Sequence, residues 1–581
     1  MQKQIVRRAK VDDNHLPDNI HPLIKQIYAS RGIESTTELE LNVSQLCAVE
    51  RLKGINLGCQ VLHQALLDNK NIAIIGDFDA DGATSTALMM EALRLFGSDN
   101  YQFIVPNRFL YGYGLTPEIV EIAAEKGAEL LITVDNGISC VTGVAKAKSL
   151  GLGVIVTDHH LPGMTLPDAD AIINPNQVGC DFPSKSLAGV GVAFYFMMAM
   201  RKYLREKNWF VDRQIQEPNI AQLLDLVALG TVADVVSLDN NNRILVEQGL
   251  KRIRAGVTRP GIQALLEIAG KDQTKIVASD FGFALGPRIN AAGRLDDMSY
   301  GINCLLAKDL ASARVMAADL DDLNKSRREI EQGMQQEAEH VLKSLNFSDD
   351  NLPHAISLFQ SDWHQGVIGI VAGRLKEKFH RPSIVFAGTS DDISSDNHNK
   401  STEIKGSARS IPGLHIRDLL EHIDTQHPNI IIKFGGHAMA AGLSIMEDNF
   451  VKFQQLFNQY AQQWLSSDDL KGTLSSDGEL PTQEMTLGFA QLLRDSGPWG
   501  QNFIEPLFDG NFKLIQQRIV GQKHLKLVVE KDGHVFDAIA FNVDLHRWPD
   551  HKAQQVHLAY RLDINEFRGK QTVQFMVEYL E

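Results

Sequence analysis

The chain has 581 residues, 44% of them apolar and 22% charged, with 57 basic against 72 acidic side chains and a formal charge of −15. These values exclude wholesale disorder and a fibrous repeat, and the length implies about three to five domains. The longest apolar stretch, Leu187–Met200, falls short of the roughly 18–20 residues a spanning helix needs, and the N-terminus lacks the apolar core of a signal peptide, so no membrane partner is expected.

Five cysteines, at 47, 59, 140, 180 and 304 with no Cys-x-x-Cys pair, argue against a disulfide framework or a thiolate zinc site and point to the cytoplasm. The acidic balance argues against nucleic acid, whose partners usually carry a basic surplus.

Residues 1–65 mix short helical patterns without recognisable chemistry. At Asn71–Gly76 a short, β-branched apolar run predicts a buried parallel strand, followed by a helix over Ala83–Phe96. Glu129–Val134 and Leu152–Thr157 are two more such strands, with helical Val144–Leu150 between them, and Ala171–Ile173 adds another. This rhythm predicts a doubly wound parallel sheet. From about 186 to 345 the pattern is helical. Val190–Met200 reads as a buried helix, and charged, proline-free Leu310–Leu345 as a long helix joining two lobes, although Gly333 weakens it. A second α/β rhythm runs from His354–Phe359 to about 465, interrupted by polar Gly388–Glu403, which reads as a surface loop. After Gly472 the chain reads as helical to about Asp495. Candidate strands Lys513–Val520, Leu525–Val529, Ala538–Val543, Val556–Asp563 and Thr572–Val577 then predict a small barrel with turns at Asp532-Gly533 and Arg568-Gly569. The expected division is an N-terminal segment 1–65, an α/β domain 66–305, a linking helix 306–347, a second lobe 348–465 and a C-terminal domain 466–581.

The chemistry gathers where strands end. The first strand runs into Asp77-Phe-Asp79-Ala-Asp81, the next into Asp135-Asn-Gly137, the third into Asp158-His159-His160. In an open α/β sheet, ligands sit outside the carboxyl ends of the strands, where all three motifs fall. Asp234 lies in an apolar stretch where an unpaired charge is costly. A calcium loop is disfavoured because its twelfth position is Leu88 instead of a bidentate Glu and because it follows a strand. Carboxylates with imidazole suit Mg²⁺ or Mn²⁺, and two such ions perform phosphoester hydrolysis.

Asp77–Asp81, Asp135-Asn-Gly, Asp158-His-His160 and Asp234 resemble motifs I to IV of the DHH phosphoesterases. Val105–Phe109, Leu187–Val192, Pro287–Arg294, Trp363–Gly366, Gly406–Arg409 and Gly435–Gly442 extend the resemblance, from about residue 45 onward, to the bacterial members that degrade single-stranded DNA 5′→3′. The resemblance implies a DHH catalytic domain, a DHHA1 substrate-binding lobe and a C-terminal OB-like barrel. It implies Asp79, Asp81, Asp135, His159 and Asp234 as ligands of two Mn²⁺ or Mg²⁺ ions, with Asp135 bridging. Asp77 and His160 share the motifs as ligands or supporting groups, and His160 acts on the leaving oxygen or orients its neighbours. Ile75 stands where many members carry a His, so one ion is expected to bind more weakly or to lean on Asp77. Ser407 and Arg409, read as loop residues beside Gly435-Gly-His437, are assigned with Arg108 to the terminal 5′ phosphate, and Arg288, Asn290 and Arg294 to the backbone nearer the metals. Lys251, Arg252, Arg254 and Arg259 form a solvated helix face or a lead-in for the strand. Phe541, Tyr560 and Phe567 are barrel core or stack bases.

The expected activity is release of 5′-mononucleotides in DNA repair, recombination and mismatch repair. Single-strand DNA-binding protein and a RecQ-type helicase are implied partners, and a monomer is the default. A DHH phosphodiesterase of short or cyclic dinucleotides is disfavoured by length, and a non-enzymatic scaffold by the intact acidic motifs.

Overall fold

The structure is a computed structural model that describes residues 3–107, 110–344, 352–388, 402–545 and 547–581. Arg108 and the interior of the polar stretch, residues 389–401, lie outside the described residues. The chain begins with a short strand, β1 (Gln4–Arg7). The first lobe is built on β2 (Ile72–Ile75), β3 (Tyr101–Ile104), β4 (Leu130–Val134), β5 (Gly153–Thr157) and β6 (Ala171–Ile173), all parallel in the order β3-β2-β4-β5-β6. Every residue of β2 and β4 is buried, which explains their continuous Ile, Leu and Val runs. The chain passes from β2 to one side and returns to the other as β4, so the winding reverses between them and their carboxyl ends open a crevice there. Edge strand β3 was not expected from sequence; three of its four residues are half-buried, so it lacks an apolar run.

The helices Ala80–Leu95, Gly189–Glu206 and Leu224–Ala233 pack with this sheet into the largest apolar core. The helix containing Val190–Met200 is buried as expected. The linking helix spans Leu310–Ser344. Gly333 sits on its exposed face, with open space around an added Cβ, so it carries only the propensity cost of about 1 kcal/mol.

The second lobe has β7 (Ile356–Gln360), β8 (Ser383–Gly388), β9 (Glu403–Arg409), β10 (Ile431–Gly436) and β11 (Ala440–Met446), ordered β10-β11-β9-β8-β7 with only β7 and β8 parallel. Gly388 and Glu403, expected in a loop, are strand residues.

Residues after Gly472 are not helical throughout. They form β12 (Thr473–Ser476), which pairs in parallel with β1, and a true helix only at Leu487–Asp495. The barrel is closed by β13 (Phe508–Val520), β14 (His524–Lys531), β15 (His534–Ala540), β16 (Gln555–Phe567) and β17 (Lys570–Leu580), in the order β13-β14-β15-β17-β16. Asp532-Gly533 and Arg568-Gly569 turn with positive φ, as expected. The expected strand Ala538–Val543 is shifted: β15 ends at Ala540, and the chain turns at Asn542 (φ 54°). Residues 1–65 are not structurally idle. Ile24 and Ile27 enter the barrel core, Arg31 pairs with buried Asp477 at 2.5 Å, and Arg7 grips Asp509 of β13 at 2.8 Å. No described helix is long and apolar enough to cross a membrane.

Candidate metal centre

Four chain segments deliver acids to the crevice. Past β2, Asp79 caps the Ala80–Leu95 helix, accepting the Asp81 and Gly82 N–H groups at 2.9 and 3.0 Å. Asp81, in the first turn, accepts N–H groups from Gly189 at 2.5 Å and Val190 at 2.9 Å. Two helix N-termini therefore face the same acids, and their partial positive charge favours the carboxylates there. Past β4, Asp135 takes a left-handed conformation (φ 61°) and is 2% exposed. Gly189 presses on it so closely that an added Cβ would lie 2.6 Å from the Asp135 Cβ. Asp234 ends the Leu224–Ala233 helix, and the β-branched Val235 behind it takes φ 64°, which turns the chain sharply away.

Past β5, Asp158 behaves differently. One oxygen accepts the His159 and His160 N–H groups at 2.7 and 3.0 Å and the His160 Nδ1 at 2.7 Å, and the other accepts the Ile138 N–H at 2.9 Å. Asp158 thus positions the histidines. Asn174 and Asn176, just past β6, donate to the main-chain oxygens of His160 and His159 at 2.9 and 2.6 Å. Both asparagines follow β6 at the same sheet edge as the acids, which is the signal the sequence offers for them.

Three sets of ligand atoms converge within 4.8 Å: Asp77, Asp79 and Asp135; Asp135, His159 and His160; and Asp81, His159 and Asp234. His159 Nε2 lies 3.1 Å from Asp135 Oδ1 and 3.6 Å from Asp234 Oδ2, yet all three atoms are buried without a hydrogen-bond partner. Buried polar atoms are normally satisfied, and such a convergence of orphans is what a divalent cation would satisfy. The electrostatics agree. Burial and then the charge of Asp234 push Asp81 up to about 7; burial and then Asp79 push Asp234 up to about 7; burial and then Asp81 raise Asp135 well above the carboxylate range. Burial lowers His159, helped by His160. Burial also pulls on His160, but the Asp158 hydrogen bond overrides it and raises the ring to about 9. Without a cation the acids cannot all stay charged. The donor set of carboxylates and imidazole suits Mn²⁺ or Mg²⁺. Ile75 is fully buried in β2, and Asp77 is the acid beside Asp79 and Asp135.

The residues expected on substrate have varied surroundings. Ser407 and Arg409 lie on β9 and Gly435 on β10, so these are strand residues. The glycine that suggested a loop at 406 serves packing: an added Cβ would meet the Phe386 ring at 2.5 Å. Arg409 donates to Ser407 Oγ at 3.3 Å and to the Ala408 carbonyl at 2.8 Å. His437, just past β10, stacks on His160 with ring centroids 6.0 Å apart and planes at 19°, which brings the second lobe onto the acid centre. Arg288 pairs with Asp321 at 2.8 Å and donates to Ala284 O at 2.6 Å. Asn290 accepts the Ala80 N–H at 2.7 Å, and Arg294 donates to Gly366 O at 3.1 Å across the lobes.

The basic run is mostly tied to protein: Lys251 and Arg254 flank Glu247, at 3.6 and 3.7 Å, and Arg259 pairs with buried Asp225 at 2.8 Å. Tyr560 is barrel core, whereas Phe541 and Phe567 are 50% and 65% exposed. A residue missed altogether is Tyr113, whose Oη donates to the Asp135 main-chain oxygen at 2.9 Å.

Sheet, acid centre and second lobe define a DHH-type phosphoesterase. The family models agree: DHH family, N-terminal domain, over residues 71–231; DHHA1 domain over 351–463; RecJ OB domain over 476–579. The chain is 57% identical over 577 residues to the single-stranded-DNA-specific exonuclease RecJ of Dickeya dadantii, covering 99% of this chain and 98% of that one. It is 56% identical over 582 residues to RecJ of Escherichia coli, covering 100% and 99%. The crystal structure of Thermus thermophilus RecJ in complex with Mn²⁺ matches with TM-score 0.77 at 28% identity, over 96% of this chain and 76% of that one; the Mg²⁺ complex gives 0.71 at 26%, over 96% and 74%. The chain belongs to the RecJ family, and is a metal-dependent hydrolase of the DHH superfamily that takes Mn²⁺ or Mg²⁺.

Proposed function

We propose that this chain degrades single-stranded DNA from the 5′ end, releasing 5′-mononucleotides by two-metal phosphodiester hydrolysis. The observation that carries the reading is the convergence of orphaned, buried Asp135, His159 and Asp234 atoms, in a chain nearly full-length with single-stranded-DNA-specific exonucleases. Asp79, Asp81, Asp135, His159 and Asp234 hold two ions. Asp135, shared between two of the three sets, would serve both ions, and Asp77 would make up for the ligand that Ile75 cannot supply. When bound, the ions supply a deprotonated water and stabilise charge on the phosphate.

The chain's own residues do the rest. Asp158 accepts from His160 Nδ1, leaving Nε2 as the ring nitrogen for the leaving oxygen. Ser407 and Arg409, with Arg108, take the terminal phosphate, and His437 closes the second lobe over the centre. Arg288, Asn290 and Arg294, each with a protein contact, meet the DNA backbone nearer the metals. The domain division at 66–305, 306–347, 348–465 and 466–581 is the working one. Action as a monomer in repair, recombination and mismatch repair, with single-strand DNA-binding protein and a RecQ-type helicase, rests on family membership.

The test is a 5′-labelled single strand with Mn²⁺. Labelled mononucleotide should appear first, and Asp135→Ala should lower the rate about 100-fold or more. Release of 3′ label first refutes the polarity, and activity surviving Asp135→Ala refutes the metal assignment. Preferential cleavage of dinucleotides over long strands would favour the phosphodiesterase reading instead.

A further inference from the structure

Tyr113 lies on the loop between β3 and β4, between Gly112 (φ 77°) and Gly114 (φ 74°). The loop is fitted to its surroundings: an added Cβ at Gly114 would meet Cys140 Sγ at 2.9 Å. Two glycines in left-handed conformation flank this one side chain, and it reaches the metal centre at two points. Its hydroxyl donates to the Asp135 main-chain oxygen at 2.9 Å and lies 3.4 and 3.5 Å from the His160 ring nitrogens. Its ring stands edge-on to His160, centroids 5.9 Å apart at 78°, and edge-on to Phe78, 5.9 Å at 77°.

Asp135 needs such support. A left-handed aspartate is tolerated but not favoured, and its carboxylate position is set by that backbone. Its N–H is fixed by Thr157 O at 3.1 Å, and its carbonyl by Tyr113. Asn136 donates to the Ile75 and Val134 carbonyls at 3.1 and 2.9 Å, which anchors the turn from the far side. The tyrosine is the member of this set that also touches a histidine of the neighbouring motif.

We propose that Tyr113 is a positioning residue for the metal centre, fixing the Asp135 turn through its hydroxyl and the His160 ring through its edge. The proposal rests on the metal-centre reading above and can fail separately from it.

Tyr113→Phe removes one oxygen and keeps the ring. Calorimetry of Mn²⁺ binding to the metal-stripped protein should show affinity about 5- to 10-fold weaker, the scale of one lost hydrogen bond at a buried carbonyl. On a single-stranded oligonucleotide at saturating Mn²⁺, kcat should fall while KM is unchanged. Tyr113→Leu, which also loses the edge contacts, should be weaker again in both readouts. If Tyr113→Phe binds Mn²⁺ and turns over like the unaltered chain, the proposal is wrong. If it raises KM alone, Tyr113 is a surface for DNA and the positioning role is equally wrong. Absence of Mn²⁺ binding in the unaltered chain would overturn the metal centre itself.

Discussion

The two α/β lobes use the same materials to opposite ends. In the first, the sheet is wholly parallel, its central strands are buried throughout, and the polar groups at its carboxyl edge are acids that leave orphaned atoms facing one another. In the second, the sheet is mixed, its edge strand β10 is half open to solvent, and the proposed phosphate residues sit at the carboxyl end of β9, with Arg409 bonded to Ser407. A buried parallel edge stores charge that needs an ion, whereas the half-buried Arg409 guanidinium on β9 is held by Ser407 and the Ala408 carbonyl. The first lobe is therefore built around a cofactor, and the proposed ligand role of the second is what separates them.

That contrast can be broken experimentally. The largest effect beyond the ligands themselves is expected in the first lobe. Asp158→Asn, which weakens the grip on His160, should lower kcat about 10- to 100-fold, as loss of outer partners of a metal site typically does; KM should stay near its original value. Next, Arg409→Ala should raise KM roughly tenfold for a 5′-phosphorylated strand, the loss expected for a charged hydrogen bond, and change a 5′-hydroxyl strand little. Equal effects on both strands would take the phosphate role from the second lobe. Phe541→Ala on the barrel should weaken binding of long strands about fivefold, the low end for a lost stacking surface. Thermal stability should be nearly unaffected.

The smallest effect is a pH dependence peculiar to the metal-free protein. Asp81 and Asp234, titrating at about 7 in the folded state, keep protons that the unfolded chain releases near pH 4. The native state then binds more protons than the unfolded one between about pH 4 and 7, so stability falls as pH rises through that window. His160, raised to about 9, extends the fall upward from pH 6.5, where the unfolded imidazole releases its proton. Melting metal-stripped protein at pH 5 and 8 should show Tm lower at pH 8, with Mn²⁺ restoring more there than at pH 5. The reverse slope would mean the acids are paired by something other than a cation.

Much of this was legible in the sequence because parallel strands announce themselves as apolar runs, and whatever follows each run lies at one edge. Asp77 to Asp81, Asp135, Asp158 and the histidines were found that way, and the barrel through its alternation and Gly-bearing turns. What was lost depends on contacts between distant segments. Nothing near Gly406 reveals that the Phe386 ring leaves no room for a side chain there. Arg288 and Arg259 read as free cations because Asp321 and Asp225 lie far along the chain. Tyr113 and Asn176 carry no motif of their own, since they act on main-chain oxygens. Strand β12 was hidden in a polar stretch because its partner, β1, lies at the other end of the chain.

That last pairing has a topological meaning. By joining Gln4–Arg7 to Thr473–Ser476 and then Arg7 to Asp509, the chain closes a ring without a covalent bond, and the second lobe lies within the stretch so closed. A single protease cut in that lobe should leave the barrel and the first lobe travelling together in gel filtration. The β1–β12 pair should also be among the last parts to settle during synthesis, because the earliest strand has to wait for a partner made near the end.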